Sequence, residues 1–217
     1  MAYVLGYLYA DGSLEDASYL RGKYLRVTSV DRDSIVRIRK WLESEHTIVV
    51  SKPPIGRIRY LLRIGSHKIY DSLTKLGLYP NKSLTIKFPA IPDKYLSDFV
   101  RGYMDGDGCV SLYTKKGKKK DVIVKKLSVI FTSGSFDFLS SLCEILRRKL
   151  QLDQGNVYKC QRCFQLRYST NDSIKLFPFL YRKNLKDLFF KRKFVVFSKY
   201  FKLRPQRIEP CMRSLLR

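Results

Sequence analysis

The chain contains itself twice, and this repeat constrains its architecture more than any other feature of the sequence. Gly6-Tyr7-Leu8-Tyr9-Ala10-Asp11-Gly12 and Gly102-Tyr103-Met104-Asp105-Gly106-Asp107-Gly108 share the pattern Gly-Tyr-Leu/Met-x-Ala/Gly-Asp-Gly, offset by 96 residues. Further on, Val27-Thr28-Ser29 matches Phe131-Thr132-Ser133 at an offset of 104 residues. Each is followed by an aspartate (Asp33, Asp137) and apolar residues at helical spacing: Ile35, Ile38, Trp41 and Leu42, against Leu139, Leu142, Ile145 and Leu146. The second copy is therefore 8 residues longer, and the insertion falls in the lysine-rich stretch Lys115 to Lys126.

A chain of 217 residues with 45% hydrophobic side chains can bury a full core in one or two domains. Thirteen Phe and fifteen Tyr must be packed somewhere, which excludes a disordered or low-complexity polymer. The 43 Lys and Arg against 19 Asp and Glu leave a formal charge of +24. Such an excess attracts polyanions and makes nucleic acid the leading partner, ahead of a merely solvated basic surface. No apolar run approaches the roughly 20 residues of a membrane span. Asp11 interrupts the only stretch that could serve as a leader, and five cysteines are an odd number for a disulfide framework. An intracellular setting is expected, the cytoplasm of a microbe or an organelle matrix.

Each copy reads as helix, two strands, helix, two strands, helix. In the first, strands are expected near Tyr24–Ser29, Ile48–Lys52 and Arg57–Ile64. In the last of these Arg57, Arg59 and Arg63 alternate with Ile58, Tyr60, Leu62 and Ile64. In the second copy Lys159, Gln161, Gln165 and Arg167 alternate with Cys160, Phe164, Leu166 and Tyr168, interrupted by Arg162. Sheets with one face under helices leave the other open, and here the open faces are basic or polar. Arg26, Lys52, Arg57, Arg59, Arg63, Lys159, Gln161, Gln165 and Arg167 are the expected DNA contacts, able to bond base edges or phosphates. Lys115, Lys116, Lys118 and Lys119 form an expected DNA-reaching loop. The expected division is residues 1–88 for the first repeat, 89–96 for a linker with Pro89 and Pro92, 97–201 for the second repeat and 202–217 for a tail.

The repeated motif carries the chemistry. Ala2–Ala10 and Asp98–Gly106 are expected to be helical and to stop at Asp11-Gly12 and Asp107-Gly108, with glycine supplying a left-handed turn. Small residues recur every fourth position (Ala2, Gly6, Ala10; Gly102, Gly106), which lets two helix backbones approach. Both helix ends then present an aspartate to the negative end of a helix dipole, at a cost of about 0.3–1 kcal/mol each. Folding alone does not favour two such carboxylates side by side. A hard divalent cation such as Mg²⁺ does, taking Asp11 and Asp107 with the carbonyls of Ala10 and Gly106, and leaving positions for water and a phosphate. Metal-assisted phosphodiester hydrolysis is the chemistry such a site supports.

Val4–Gly12 (VLGYLYADG) and Val100–Gly108 (VRGYMDGDG) resemble the paired motifs of the LAGLIDADG homing endonucleases, and the repeat extends the resemblance over most of the chain. The resemblance implies an α+β fold: two αββαββα repeats forming a pseudo-symmetric saddle of two antiparallel sheets, with the motif helices packed at the repeat interface. It implies a monomer that cuts both strands of a long, asymmetric DNA target across the minor groove and leaves 3′ overhangs. Mg²⁺ is the implied cofactor; Mn²⁺ would substitute, and Ca²⁺ would support binding with little cutting. The motif's eighth position, the metal-binding acid of that family, is Asp11 and Asp107 here; at the sixth, Tyr9 departs from the acid that Asp105 keeps. A basic residue late in each half, beside the scissile phosphates, falls on Lys82 in Pro80-Asn81-Lys82-Ser83 and on Lys193 in Lys191-Arg192-Lys193-Phe194, with Lys87, Lys186 and Lys191 as rivals. Ser29 and Ser133 occupy the polar position after the early strand. An intron maturase that binds intron RNA, or a non-cleaving DNA-binding protein, could use the same scaffold. Both aspartates being present favours the endonuclease. Cys160-Gln161-Arg162-Cys163 has zinc-like spacing but no second ligand pair, and Trp41 fits a core position.

Overall fold

The protein is seen in a computed structural model that describes residues 1–17, 19, 22–116, 122–153, 155–182 and 189–216, with backbone alone at 116, 122 and 125. It divides into two compact units, Met1–Gly106 and Asp107–Arg217. The first holds α1 (Ala2–Asp11), β1 (Gly12–Ala17), β2 (Gly22–Ser29), α2 (Arg32–Trp41), β3 (Ile48–Ser51), β4 (Arg59–Gly65), α3 (His67–Lys75), a 3₁₀ turn (Lys82–Leu84) and α4 (Asp93–Asp107) up to its last residue. The second holds β5 (Gly108–Lys116), β6 (Val122–Ser133), α5 (Phe136–Leu150), β7 (Asn156–Lys159), β8 (Phe164–Tyr168), α6 (Thr170–Leu180) and α7 (Lys191–Leu203). Both sheets are antiparallel with one strand order, β1-β2-β4-β3 and β5-β6-β8-β7. No helix among the described residues is long and apolar enough to cross a membrane.

The matched segments fold alike because they carry the same local chemistry. Ser29 Oγ accepts from the Asp31 N–H and Ser133 Oγ from the Ser135 N–H, each at 3.1 Å, turning the chain out of β2 or β6 into a helix. Asp31 then caps α2 by accepting from the Asp33 N–H at 3.1 Å, and Ser135 caps α5 through the Phe138 N–H at 3.2 Å. Ile35 and Ile38 on α2, and Phe138, Leu139, Leu142 and Leu146 on α5, turn inward, while the last turns carry Arg39 and Lys40 or Arg147, Arg148 and Lys149 toward the negative dipole end.

In the first unit Leu14, Leu25, Val27, Leu62 and Ile64 form the covered face, against α1, α2 and α3. In the second Leu127, Val129, Phe131, Leu166 and Tyr168 face α5, α6 and α7. Each such side chain contributes about 1.5–3 kcal/mol of burial.

Several sequence expectations change. The stretch from Lys159 to Tyr168 is not one strand but a β7–β8 hairpin: the Cys160 N–H donates to the Cys163 carbonyl at 2.8 Å, and Gln161 sits exposed in the turn. The alternation ran through a tight turn because that turn is closed by backbone bonds, which side-chain pattern does not report. Likewise Arg57 precedes β4, and Ile58 is exposed. Gly12 does not take a left-handed turn; at φ −83° and ψ 148° it is extended and starts β1. A Cβ there would lie 2.7 Å from the Leu8 carbonyl oxygen, so glycine is required for close approach of the strand to the helix end it leaves. α4 begins at Asp93, inside the span read as linker, and the residues after α7 form two 3₁₀ turns with Met212 buried. The inserted residues lengthen one hairpin, with β5 and β6 spanning 9 and 12 residues against 6 and 8 for β1 and β2. A register shift between Tyr113 and Thr114 marks a bulge in that hairpin.

Candidate functional site

The first unit assembles a site around the end of α1. Two helices cross there at their small residues: a Cβ on Gly6 would strike the Phe99 carbonyl, and one on Gly102 the Tyr3 carbonyl. A Cβ on Gly106 would strike the Ala10 methyl and lie 3.4 Å from Asp11 Oδ2. Ala10, Asp11 and Gly106, three of the residues expected at the metal, are thus neighbours. Asp107, the fourth, is exposed at the last position of α4 and opens the second unit, where its charge acts on Cys163.

Asp11 is half-buried and is approached from its own helix. Tyr7, four residues earlier and so on the same face, brings its buried hydroxyl into hydrogen-bonding range of the Asp11 carboxylate and of Ser29. Burial first, and the Asp11 charge second, push the Tyr7 phenol far up, so it remains a donor. The motif pattern held this tyrosine without revealing its task.

Among the described residues only two lysines are buried, and they are Lys82 and Lys193, at 5% and 7% exposure. The rivals Lys87 and Lys191 are exposed, and Lys186 lies outside the described residues. Lys82 Nζ donates to the Tyr9 carbonyl at 2.9 Å, at the last turn of α1. Asn81 delivers it from a left-handed backbone (φ 58°, ψ 27°), a conformation asparagine tolerates better than most residues. Tyr9 explains its own departure from the motif. Its hydroxyl donates to the Leu76 carbonyl at 2.6 Å, tying α1 to the segment that carries Lys82. Asp105, at the corresponding place, instead accepts from Tyr3 at 2.7 Å in the buried contact between α1 and α4. Arg101, fully buried, bonds Asp98 at 2.6 Å in the same helix. In the second unit Lys193 lies in the first turn of α7, which packs on β5 and β6.

The open sheet faces are less uniformly basic than the sequence suggested. On the first, Arg26, Arg59 and Arg63 are exposed as expected, but Glu15 lies among them. A cavity of about 390 Å³ lies beside this face, lined by Ser13, Glu15, Arg26, Tyr79, Asn81 and Lys82. On the second sheet a cavity of about 410 Å³ is lined by Lys126, Ser128, Asn156, Tyr158, Gln165 and Arg167. Arg167 donates two bonds to Gln165 Oε1, at 2.9 and 2.7 Å, and lies over the Tyr158 ring. Lys159 ends β7, Lys52 follows β3 and Lys115 stands near the end of β5, all exposed; Lys118 and Lys119 lie outside the described residues, as does the Lys116 side chain.

Among the described residues no group of three or more His, Cys, Asp or Glu side chains converges as a metal cage.

Known structures share this fold over nearly the whole chain. I-LtrWI, a LAGLIDADG homing endonuclease bound to target DNA, superposes with a TM-score of 0.60 at 15% identity, covering 99% of this chain and 94% of its own. I-GzeII in complex with its DNA target gives 0.58 at 12%, covering 99% and 94%. I-SmaMI, bound to uncleaved DNA in the presence of calcium ions, gives 0.56 at 14%, covering 95% and 90%. The fold is that of the LAGLIDADG homing endonucleases, in its single-chain form with two motifs. No family model matches the sequence. Among proteins compared by sequence, the reverse gyrase of Methanocaldococcus jannaschii is 29% identical over 143 residues, which take in 64% of this chain and 8% of that protein. The chain thus corresponds to less than a tenth of that relative.

Proposed function

We propose that this protein is a site-specific endonuclease that cuts double-stranded DNA by divalent-metal-dependent phosphodiester hydrolysis at a long, asymmetric target, leaving 3′ overhangs. The observation that carries the reading is the meeting, at the end of α1, of Asp11, the Ala10–Gly106 contact and the buried Lys82. A solvated surface lysine would have no reason to be shielded there. The solved proteins of the same fold were captured on DNA targets, one of them with calcium present, which supports both the substrate class and the use of a divalent ion.

In this reading Asp11 and Asp107 hold Mg²⁺ with the carbonyls of Ala10 and Gly106. Mn²⁺ substitutes for it, and Ca²⁺, larger and less demanding of geometry, supports binding with little cutting. The ion, when bound, supplies Lewis acidity and lowers the pKa of water. Tyr7 fixes the Asp11 carboxylate by hydrogen bonding, so that its oxygens are oriented before DNA arrives. Lys82 and Lys193 place ammonium groups where negative charge grows on the phosphate as water adds to phosphorus and the sugar oxygen leaves. Their burial strengthens that interaction by excluding solvent. The exposed arginines of the first sheet, with Gln165, Arg167 and the lysines of the longer hairpin, hold the duplex.

Incubating the protein with a randomised duplex library and Mg²⁺, then sequencing the cut ends, tests the proposal. A recurrent cut site is expected, lost in Asp11→Asn and Asp107→Asn proteins that still fold. Recurrent cutting that persists in either variant would refute the catalytic assignment, and the absence of any recurrent site would refute the function.

A further inference from the structure

The first sheet carries one carboxylate among the described strand positions of its open face, Glu15 on β1. The strand register sets Glu15 opposite Tyr24, and sets Arg26 of β2 opposite Arg63 of β4. Two arginines facing each other across a strand pair repel. Glu15 stands between them: Oε1 accepts from Arg63 at 2.9 Å, and Oε2 lies 3.7 Å from the Arg26 guanidinium. The Arg63 guanidinium also lies 3.7 Å from the centre of the Tyr24 ring, close enough to stack on it. The acid and both arginines remain 34% to 45% exposed, yet Oε2 itself is shielded from water and makes no hydrogen bond. The cluster is therefore tightly closed at its centre and open at its rim.

An acid here is costly for a protein whose purpose is to grip phosphates, because it cancels one positive charge and repels the backbone of any sequence equally. Half-exposed ion pairs contribute little to stability, so folding gives a weak reason for it. What the carboxylate does provide is order. It holds the Arg63 fork by a hydrogen bond and draws the Arg26 guanidinium by charge, restricting two long side chains, which favours bidentate hydrogen bonding to a base edge. We propose that Glu15 is a specificity-determining positioning residue: it holds Arg26 and Arg63 for base reading in one half of the target and weakens their indiscriminate contact with phosphate. This is selectivity gained by a repulsive element placed beside the attractive one. The inference rests on the DNA-binding reading above.

The test uses the full chain, Ca²⁺ to permit binding without cutting, and a pool of random-sequence duplexes from which bound molecules are sequenced. Wild type should enrich a consensus across two half-sites. Glu15→Gln keeps the shape and removes the charge. It should lose roughly tenfold of preference at base pairs in one half-site and none in the other. Its affinity for the unselected pool should rise severalfold, with a salt dependence steeper by about one phosphate contact. Arg63→Lys keeps the charge and loses the fork and the stacking, and should flatten the same half-site without steepening the salt dependence. If Glu15→Gln keeps the consensus intact, or weakens binding to every sequence alike, Glu15 has no such role although the parent reading stands. A wild-type protein that enriches no sequence overturns both.

Discussion

Tyr7 carries the most consequence for its size. Its hydroxyl reaches Asp11 and Ser29 from within α1, and the phenol's ionisation is pushed far beyond its ordinary range, first by burial and then by the Asp11 charge. Tyr7→Phe keeps the ring and its packing and deletes one donor to a carboxylate. A hydrogen bond to a charged partner contributes about 1.5–3 kcal/mol, so single-turnover cleavage should fall by roughly ten- to a hundredfold, with urea unfolding shifted by no more than about 1.5–3 kcal/mol. Wild-type cleavage in Tyr7→Phe would show that Asp11 is oriented by other means. Lys82 illustrates a different kind of residue-scale evidence. In a chain with 43 basic residues a lysine is unremarked in sequence, yet one whose ammonium is buried against a helix-end carbonyl stands apart at once.

At the scale of elements, the crossing of α1 and α4 depends on glycine at two places where backbone meets backbone. In Gly102→Ala the new methyl would meet the Tyr3 carbonyl and come within 2.9 Å of the Tyr7 N–H nitrogen, and neither can swing aside as a side chain could. Overpacking of this kind costs about 1–3 kcal/mol or more, and because Tyr7 moves with α1, cleavage should fall further than stability. Unfolding midpoints and cleavage rates measured together check this; an Ala variant that keeps both would place the tight contact elsewhere. These helices were legible in the sequence because small residues every fourth position and a terminal Asp-Gly are local signals. So were α2 and α5, whose caps and apolar spacing are also local. The β7–β8 turn was not legible, since its closing bonds belong to the backbone. The roles of Glu15, Tyr7 and Asn81 were hidden for a related reason. Each depends on a partner brought near by strand register or helix phase, which the pattern of one segment does not contain. Gly12 was read as a helix stop and is one, but for crowding against Leu8 rather than for its backbone angle.

For the whole molecule, several tyrosines tie its stability to alkaline pH. Tyr3, Tyr7 and Tyr168 are buried, and burial foremost raises each phenol's pKa well above its ordinary value. Below about pH 10 folded and unfolded chains alike keep these protons, so the groups add no pH dependence there. Above it the unfolded chain releases protons that the folded chain retains, and stability must fall as pH rises. Phenolate absorbance should therefore increase in two stages, the exposed tyrosines first and the buried ones together with loss of circular dichroism. A single stage completed before any unfolding would contradict the burial of these rings. The contact of α1 with α4 also sets the two motif helices apart. Tyr3 meets Asp105, and the equivalents at an offset of 96 residues are Phe99 and Tyr9, which cannot repeat that bond; Arg101 likewise answers to Leu5. A second copy of the first motif helix in the place of the second would set tyrosine against tyrosine with no acid between them, so the two motif helices could not trade places in this contact without several buried residues changing at once.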